Sequence, residues 1–272
     1  MKIQTLVLAA LLAVIPAEFA AAATICTAIA DAKTGDFLRR DGDCVLRVTP
    51  ASTFKIAISL MGFDSGFLTD EHQPSLAFQP GDVDWGGEAW RQPTDPERWI
   101  KYSVVWFSRR VTHGLGEDRV KAYAAAFHYG NADITGDPGQ HNGLDRAWIS
   151  SSLKISPMEQ IAFLTALVNR RLPVRAQAVD MTEHLTAVAR LPDGWDIHGK
   201  TGTAFPRDAD GRSDEAHGYG WFVGWARNGE QTLVFAWLTQ DEAPAKEPAG
   251  LRTRDGFLAA FPSLIGAPAP AP

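Results

Sequence analysis

The sequence predicts an α+β fold: one antiparallel sheet built from both chain ends and flanked by helices, with a helical middle inserted as a second lobe. Three observations carry that expectation. A strand-turn-strand pattern follows an apolar leader, helical patterns fill the middle, and strand patterns resume at Trp195 with an Asn-Gly hairpin before one last helix.

The leader comes first. Met1-Lys2, a mostly apolar stretch from Leu6 to Ile15 and a small-residue segment ending at Ala21-Ala22-Ala23 have the layout of a cleavable secretory signal. The apolar stretch is short for a bilayer span. Residues 1–23 are therefore read as a signal peptide that delivers the protein to the periplasm, leaving a mature form that begins near Thr24 and has no membrane segment. About 250 residues remain, enough for one large domain or two interleaved ones. The formal net charge is −6, and no basic stripe points to nucleic acid.

Thr24 to Ala30 and Phe37 to Arg40 run apolar or alternate around Asp31-Ala32-Lys33-Thr34-Gly35, which predicts an N-terminal β-hairpin. Cys26 and Cys44 flank that hairpin. In an oxidising compartment they could close a short loop worth about 3 kcal/mol, but the sequence leaves bridged and unbridged forms open. After Pro50, the run Phe54 to Met61 predicts a buried helix ending near Gly62, with Ser52 at or just inside its N-terminus. Gln73 to Pro96 is rich in Gly, Pro, Asp and Trp and predicts a long irregular segment. Helical patterns return at Trp99 to Arg110 and at Glu117 to Phe127, and a polar loop covers Tyr129 to Asp145.

Ser156-Pro157-Met158-Glu159 has the form of a capping box with proline at the first helical position. Ile161, Leu164, Leu167 and Val168 follow at helical spacing. Strands are expected at Trp195 to Thr203, Gly220 to Ala226 and Gln231 to Thr239, and a terminal helix at Arg254 to Phe261. The resulting organisation is a sheet lobe of residues 24–50 and 190–266, a helical lobe of residues 51–189, and a ligand cleft between them.

One residue pair suggests chemistry. Ser52-Thr53-Phe54-Lys55 puts a hydroxyl and an amine on one helical face, so the amine can reach the hydroxyl. The helix start supplies backbone donors and the positive dipole end that favour an oxyanion. Ser151-Ser152-Leu153-Lys154 fits the same pattern but lies in a loop ahead of the capping box, and Lys33-Thr34-Gly35 mimics Lys200-Thr201-Gly202 from a hairpin turn. Both are read as structural. The seven histidines lack His-x-His or His-x-x-x-His spacing, so no metal site is expected.

Taken in order, Ser52-Thr53-Phe54-Lys55, Ser103-Val104-Val105, Tyr129-Gly130-Asn131 and Lys200-Thr201-Gly202 resemble the motif series of the class D (oxacillinase-type) serine β-lactamases. The likeness covers nearly all of the mature chain. It implies the three-layer fold shared with penicillin-binding proteins and hydrolysis of penicillin-type antibiotics, with the antibiotic resistance that follows.

The resemblance also implies roles. Ser52 is the nucleophile, and Lys55 is a base carboxylated by carbon dioxide to a carbamate, with no other cofactor. Ser103 relays a proton to the leaving nitrogen, Trp148 donates to the carbamate, and Lys200 and Thr201 face the substrate carboxylate. The amides of Ser52 and Thr203 form the oxyanion hole. Val105, Tyr129, Asn131, Gly202 and Arg254 complete the substrate site, with Arg252 an alternative to Arg254. The protein is expected to act as a monomer or a homodimer on a small-molecule β-lactam.

Elementary chemistry runs the same way, since burial lowers a lysine pKa and a neutral amine can add carbon dioxide. A carboxylate base of the class A kind is disfavoured, because that class's Ser-Asp-Asn motif is replaced by Tyr129-Gly130-Asn131 and Glu159 reads as a helix cap. The remaining alternatives are a penicillin-binding transpeptidase and a β-lactam sensor domain, both of which acylate without rapid hydrolysis.

Overall fold

The structure is a computed structural model that describes residues 22–208 and 210–266. Of the segment read as a signal peptide, residues 1–21 lie outside the described residues, and the last two begin the first strand.

Both chain ends contribute to one six-stranded sheet. β1 (Ala22–Asp31) and β2 (Phe37–Gly42) form the N-terminal hairpin, closed by an Asx turn in which Asp31 Oδ1 accepts from the amides of Lys33 and Thr34 at 2.8 and 2.9 Å. Lys33-Thr34-Gly35 is thus turn structure, with Gly35 at φ 81°. The C-terminal half adds β3 (Ala187–Arg190), β4 (Asp196–Ala204), β5 (Tyr219–Asn228) and β6 (Gln231–Asp241). The strand order is β2-β1-β6-β5-β4-β3 and every neighbouring pair is antiparallel. Cys26 and Cys44 are bridged, which settles the pairing that the sequence left open.

Between β2 and β3 lie α1 (Lys55–Ser65), α2 (Pro96–Tyr102), α3 (Val105–Leu115), α4 (Glu117–Ala126), the single turn α5 (Gly143–Arg146), α6 (Pro157–Val168) and α7 (Ala176–Leu185). A 3₁₀ turn, Ala51–Phe54, leads into α1, which runs one turn past the predicted end because Gly62 packs tightly on Leu68 and continues the helix. The single helix expected over Trp99 to Arg110 is two. Asp95 caps α2 through the Arg98 amide, and the backbone breaks at Ser103, whose φ is 57°. The capping box at Ser156 and Glu159 forms as expected, with Ser156 N donating to Glu159 Oε2 at 2.9 Å.

α7 and β3 were not expected. α7 has no side-chain cap and buries four residues, and β3 is a four-residue edge strand, so neither offers a periodic signal.

α8 (Ala249–Leu264) begins five residues earlier than predicted and packs alone on one sheet face, where Phe257 and Phe261 meet Phe222 and Phe235. The opposite face carries the larger core, which includes α1, α3 and α6. The result is a helix-sheet-helix sandwich. Among the described residues no helix is long and apolar enough to cross a membrane.

Candidate active site

The 3₁₀ turn delivers Ser52 to the edge of a cleft of about 1050 Å³ that Ser103, Val105, Lys200, Thr201, Thr203 and Arg254 also line. Half-exposed Trp85 and Tyr102 line it as well. Of the seven non-glycine residues at positive φ among the described residues, two line this cleft, in the left-handed backbone region that costs a non-glycine residue about 1–2 kcal/mol. They are Ala51, directly before Ser52, at φ 50°, and Ser103 itself. Such strain persists only where the surroundings over-determine it, and it gathers at functional sites.

Lys55 is wholly buried, and its Nζ stands 3.0 Å from Ser52 Oγ. Burial, reinforced by the Lys200 charge, holds its pKa well below the ordinary lysine value, and no carboxylate opposes the shift. Lys200 on β4 is 6% exposed and is pushed down to about 8, first by burial and then by the Arg254 guanidinium. Its Nζ lies 3.3 Å from Thr201 Oγ1. Among the cleft-lining residues Glu97 is the one carboxylate, set against Lys101, Lys200, Lys246 and Arg254. The charge lining the cleft therefore favours anions.

Trp148 is 1% exposed, with its ring 5.7 Å from that of Phe54. Its Nε1–H has no acceptor among the described residues, which is unusual for a buried indole. Phe54 directly precedes Lys55, so a carbamate on Lys55 would add acceptor oxygens one residue along from the aromatic that Trp148 meets. The donor set fits that group: a buried amine whose pKa lies well below the ordinary lysine value, and an unused N–H.

Arg252 and Arg254 separate clearly. Arg252 Nη2 donates to both oxygens of Asp241 at 2.6 Å, while Arg254 lines the cleft and makes only a lateral pair with Asp255, 2.7 Å away.

Three expected substrate-site residues lie elsewhere. Tyr129 is fully buried, lies tilted against Phe54 and edge-on to Phe163, and accepts a hydrogen bond from Gln160, so its hydroxyl cannot meet a ligand. Asn131 lines a separate cavity of about 1170 Å³, and its amide staples two loops by donating to Ser152 O and accepting from Lys154 N, both at 2.9 Å. Between them, a Cβ on Gly130 would stand 2.0 Å from Lys154 O. Tyr129-Gly130-Asn131 is therefore a loop-packing motif here. Gly202 faces the Pro50 turn, where a Cβ would come within 2.9 Å of Pro50 O. The second Ser-x-x-Lys tetrad is structural, with the Ser151 hydroxyl donating to Asp137 and Lys154 left exposed.

Sequence reasoning missed Gln160, the strain at Ala51, and the cleft aromatics Trp85 and Tyr102. A lone glutamine inside an apolar helix and a left-handed alanine leave no sequence pattern. Trp85 was one of several aromatics in a stretch read as irregular, and Tyr102 lay in a stretch read as helix.

Residues 25–260 match the family described as penicillin binding protein transpeptidase domain. The chain is similar to β-lactamase OXA-9 of Klebsiella pneumoniae, 41% identical over 241 residues that cover 89% of this chain and 88% of the relative. It is similar to β-lactamase OXA-1 of Escherichia coli, 36% identical over 198 residues, 72% of this chain and 68% of the relative. Among solved structures it resembles the OXA-427 class D β-lactamase, with a TM-score of 0.83 at 47% identity, covering 88% of this chain and 97% of that one.

Proposed function

This chain belongs to the penicillin binding protein transpeptidase domain family and, within it, to the class D β-lactamases, hydrolases that open the β-lactam ring; from that premise we propose that it turns over penicillin-type antibiotics through an acyl-enzyme on Ser52, with carboxylated Lys55 as base.

The observation that carries this reading is the buried Lys55 amine 3.0 Å from Ser52 Oγ, with no carboxylate to hold it charged. When carbon dioxide is bound there as a carbamate, it supplies an anionic base that an ammonium could not provide. Trp148 Nε1 is the donor that would hold it. The Ser52 hydroxyl attacks the lactam carbonyl and gives up its proton toward the Lys55 side. The oxyanion that develops is met by the amides of Ser52 and Thr203, fixed donors that need no reorganisation during the reaction. Ser103, held rigid by its left-handed backbone, passes a proton to the departing lactam nitrogen. Lys200, Thr201 and Arg254 receive the carboxylate that β-lactams carry beside the ring, which answers the excess of positive charge lining the cleft.

The apolar leader at residues 1–23 and the Cys26–Cys44 bridge support export to the periplasm. A transpeptidase or a sensor would share the serine, the lysine and the acylation, and would differ in keeping the adduct. Mass spectrometry of the protein with a penicillin over time separates them. The expected result is an adduct on Ser52 that disappears as substrate is consumed. A persistent adduct with one equivalent consumed would overturn hydrolysis, and labelling elsewhere would overturn the nucleophile.

A further inference from the structure

Gln160, on the first turns of α6, is 1% exposed. A buried amide is costly unless its hydrogen bonds are used, and a leucine or methionine would fill the same volume without that cost. Its Nε2 donates to Thr53 Oγ1 at 3.1 Å and to the Tyr129 hydroxyl at 3.3 Å. The Thr53 hydroxyl in turn donates to Pro50 O at 2.7 Å. That carbonyl immediately precedes Ala51, the left-handed residue that aims Ser52. From the other side β4 closes in: a Cβ on Gly202 would stand 2.9 Å from Pro50 O, 3.1 Å from the Thr53 methyl and 3.3 Å from Ala51 Cβ. The turn is gripped between a buried amide and a strand backbone.

The geometry points to Gln160 and Thr53 as positioning residues that hold the strained Pro50–Ala51 turn, so that Ser52 Oγ stays beside Lys55 Nζ. This rests on Ser52 being the nucleophile. The hydroxyl-to-carbonyl link fixes the peptide before Ala51, and the Gln160 amide fixes the rotamer of that hydroxyl. Without them Ala51 relaxes to an ordinary backbone region and swings Ser52 away from its base. A displacement of about 1 Å at a reacting group can cost a hundredfold in rate.

The test is the rate of Ser52 acylation, measured by rapid-quench mass spectrometry below the melting temperature of each variant. Gln160→Met and Thr53→Val are expected to slow acylation by ten- to a hundredfold, on the order that misplacement predicts. Thr53→Ser, which keeps the hydroxyl, restores it to within about threefold. In an Ala51→Gly background, where the left-handed conformation carries no penalty, Gln160→Met loses far less, giving a coupling that a role in stability alone would not produce. Wild-type acylation rates in Gln160→Met and Thr53→Val would overturn the proposal, as would strictly additive losses in the Ala51→Gly background. If the unsubstituted protein formed no adduct on Ser52, the proposed function would fall with it. An unsubstituted protein that labels normally beside equally fast variants overturns the positioning role alone.

Discussion

A lysine shut in an apolar pocket without a carboxylate holds its proton less tightly, and Lys55 and Lys200 both meet that condition with different consequences. For Lys55 the consequence is reactivity. Lys55→Ala is expected to slow deacylation on the order of a hundredfold or more, and acylation less, as burst-phase kinetics with a penicillin would report. Activity lost at low pH is expected to return on adding bicarbonate, and an enzyme indifferent to bicarbonate would have no carbamate. For Lys200 the consequence is stability. It ionises at about 8 in the folded protein and at 10.5 as an ordinary lysine, so between those values the unfolded chain binds more protons. The Lys200 contribution to folding stability therefore rises with pH across that window and is flat below it, where this lysine is protonated in both states. Tyr129, whose burial raises its pKa, opposes this at higher pH. The clean comparison is thermal melting between about pH 8 and 9.5, where Lys200→Met should abolish part of the rise. The two arginines divide in the same way. Arg254→Ala is expected to raise KM for substrates bearing the ring carboxylate with kcat little changed, whereas Arg252→Ala strands Asp241, which is 6% exposed, and lowers stability.

At the scale of elements, legibility followed the source of each element's stability. α6 announces itself because its cap is written in side chains, Ser156 and Glu159, with Pro157 between them. The β5–β6 hairpin does so through Asn228-Gly229, although its strands run to Asn228 and resume at Gln231, leaving a two-residue turn. The break at Ser103 was invisible because it is a backbone event, a left-handed residue at φ 57° inside an apolar run. α7 and β3 exist because α1 and β4 cover them, and nothing in their own residues demands it. The same limit applied to Tyr129 and Asn131, where a motif read by resemblance as a site wall turned out to join two loops. The Cys26–Cys44 bridge is an element-scale device. It ties β1 to the segment beyond β2 and closes a loop of sequence separation 18. Replacing both cysteines by alanine is expected to lower unfolding free energy by about 3 kcal/mol in denaturant titrations, leaving the Ser52 acylation rate unchanged in the folded population.

Across the whole molecule, the outer helix, the sheet and the nucleophile turn meet at two glycines, Gly250 and Gly202. A Cβ on Gly250 of α8 would stand 2.5 Å from Gly202 O, and one on Gly202 would stand 2.9 Å from Pro50 O. Gly250 N also donates to Thr203 Oγ1 at 2.9 Å, so the start of α8 is fastened to the strand that borders the cleft. Arg254 lies one helical turn beyond Gly250, and its reach over the cleft is therefore set by how closely α8 seats on β4. Gly250→Ala must push backbone against backbone, since no flexible side chain is there to yield. It is expected to cost about 1–3 kcal/mol of stability and to raise KM for carboxylate-bearing substrates as Arg254→Ala does. Ser52 acylation at saturating substrate should change less, because Lys55 is carried by α1 and not by α8. Gly256 on the same helix has open space where its Cβ would go, so Gly256→Ala is expected to be neutral or to stabilise by about 0.5–1 kcal/mol. Thermal melts and steady-state kinetics on the pair decide the matter. A destabilised Gly250→Ala with an unaltered KM would mean that Arg254 finds the substrate carboxylate however α8 is seated.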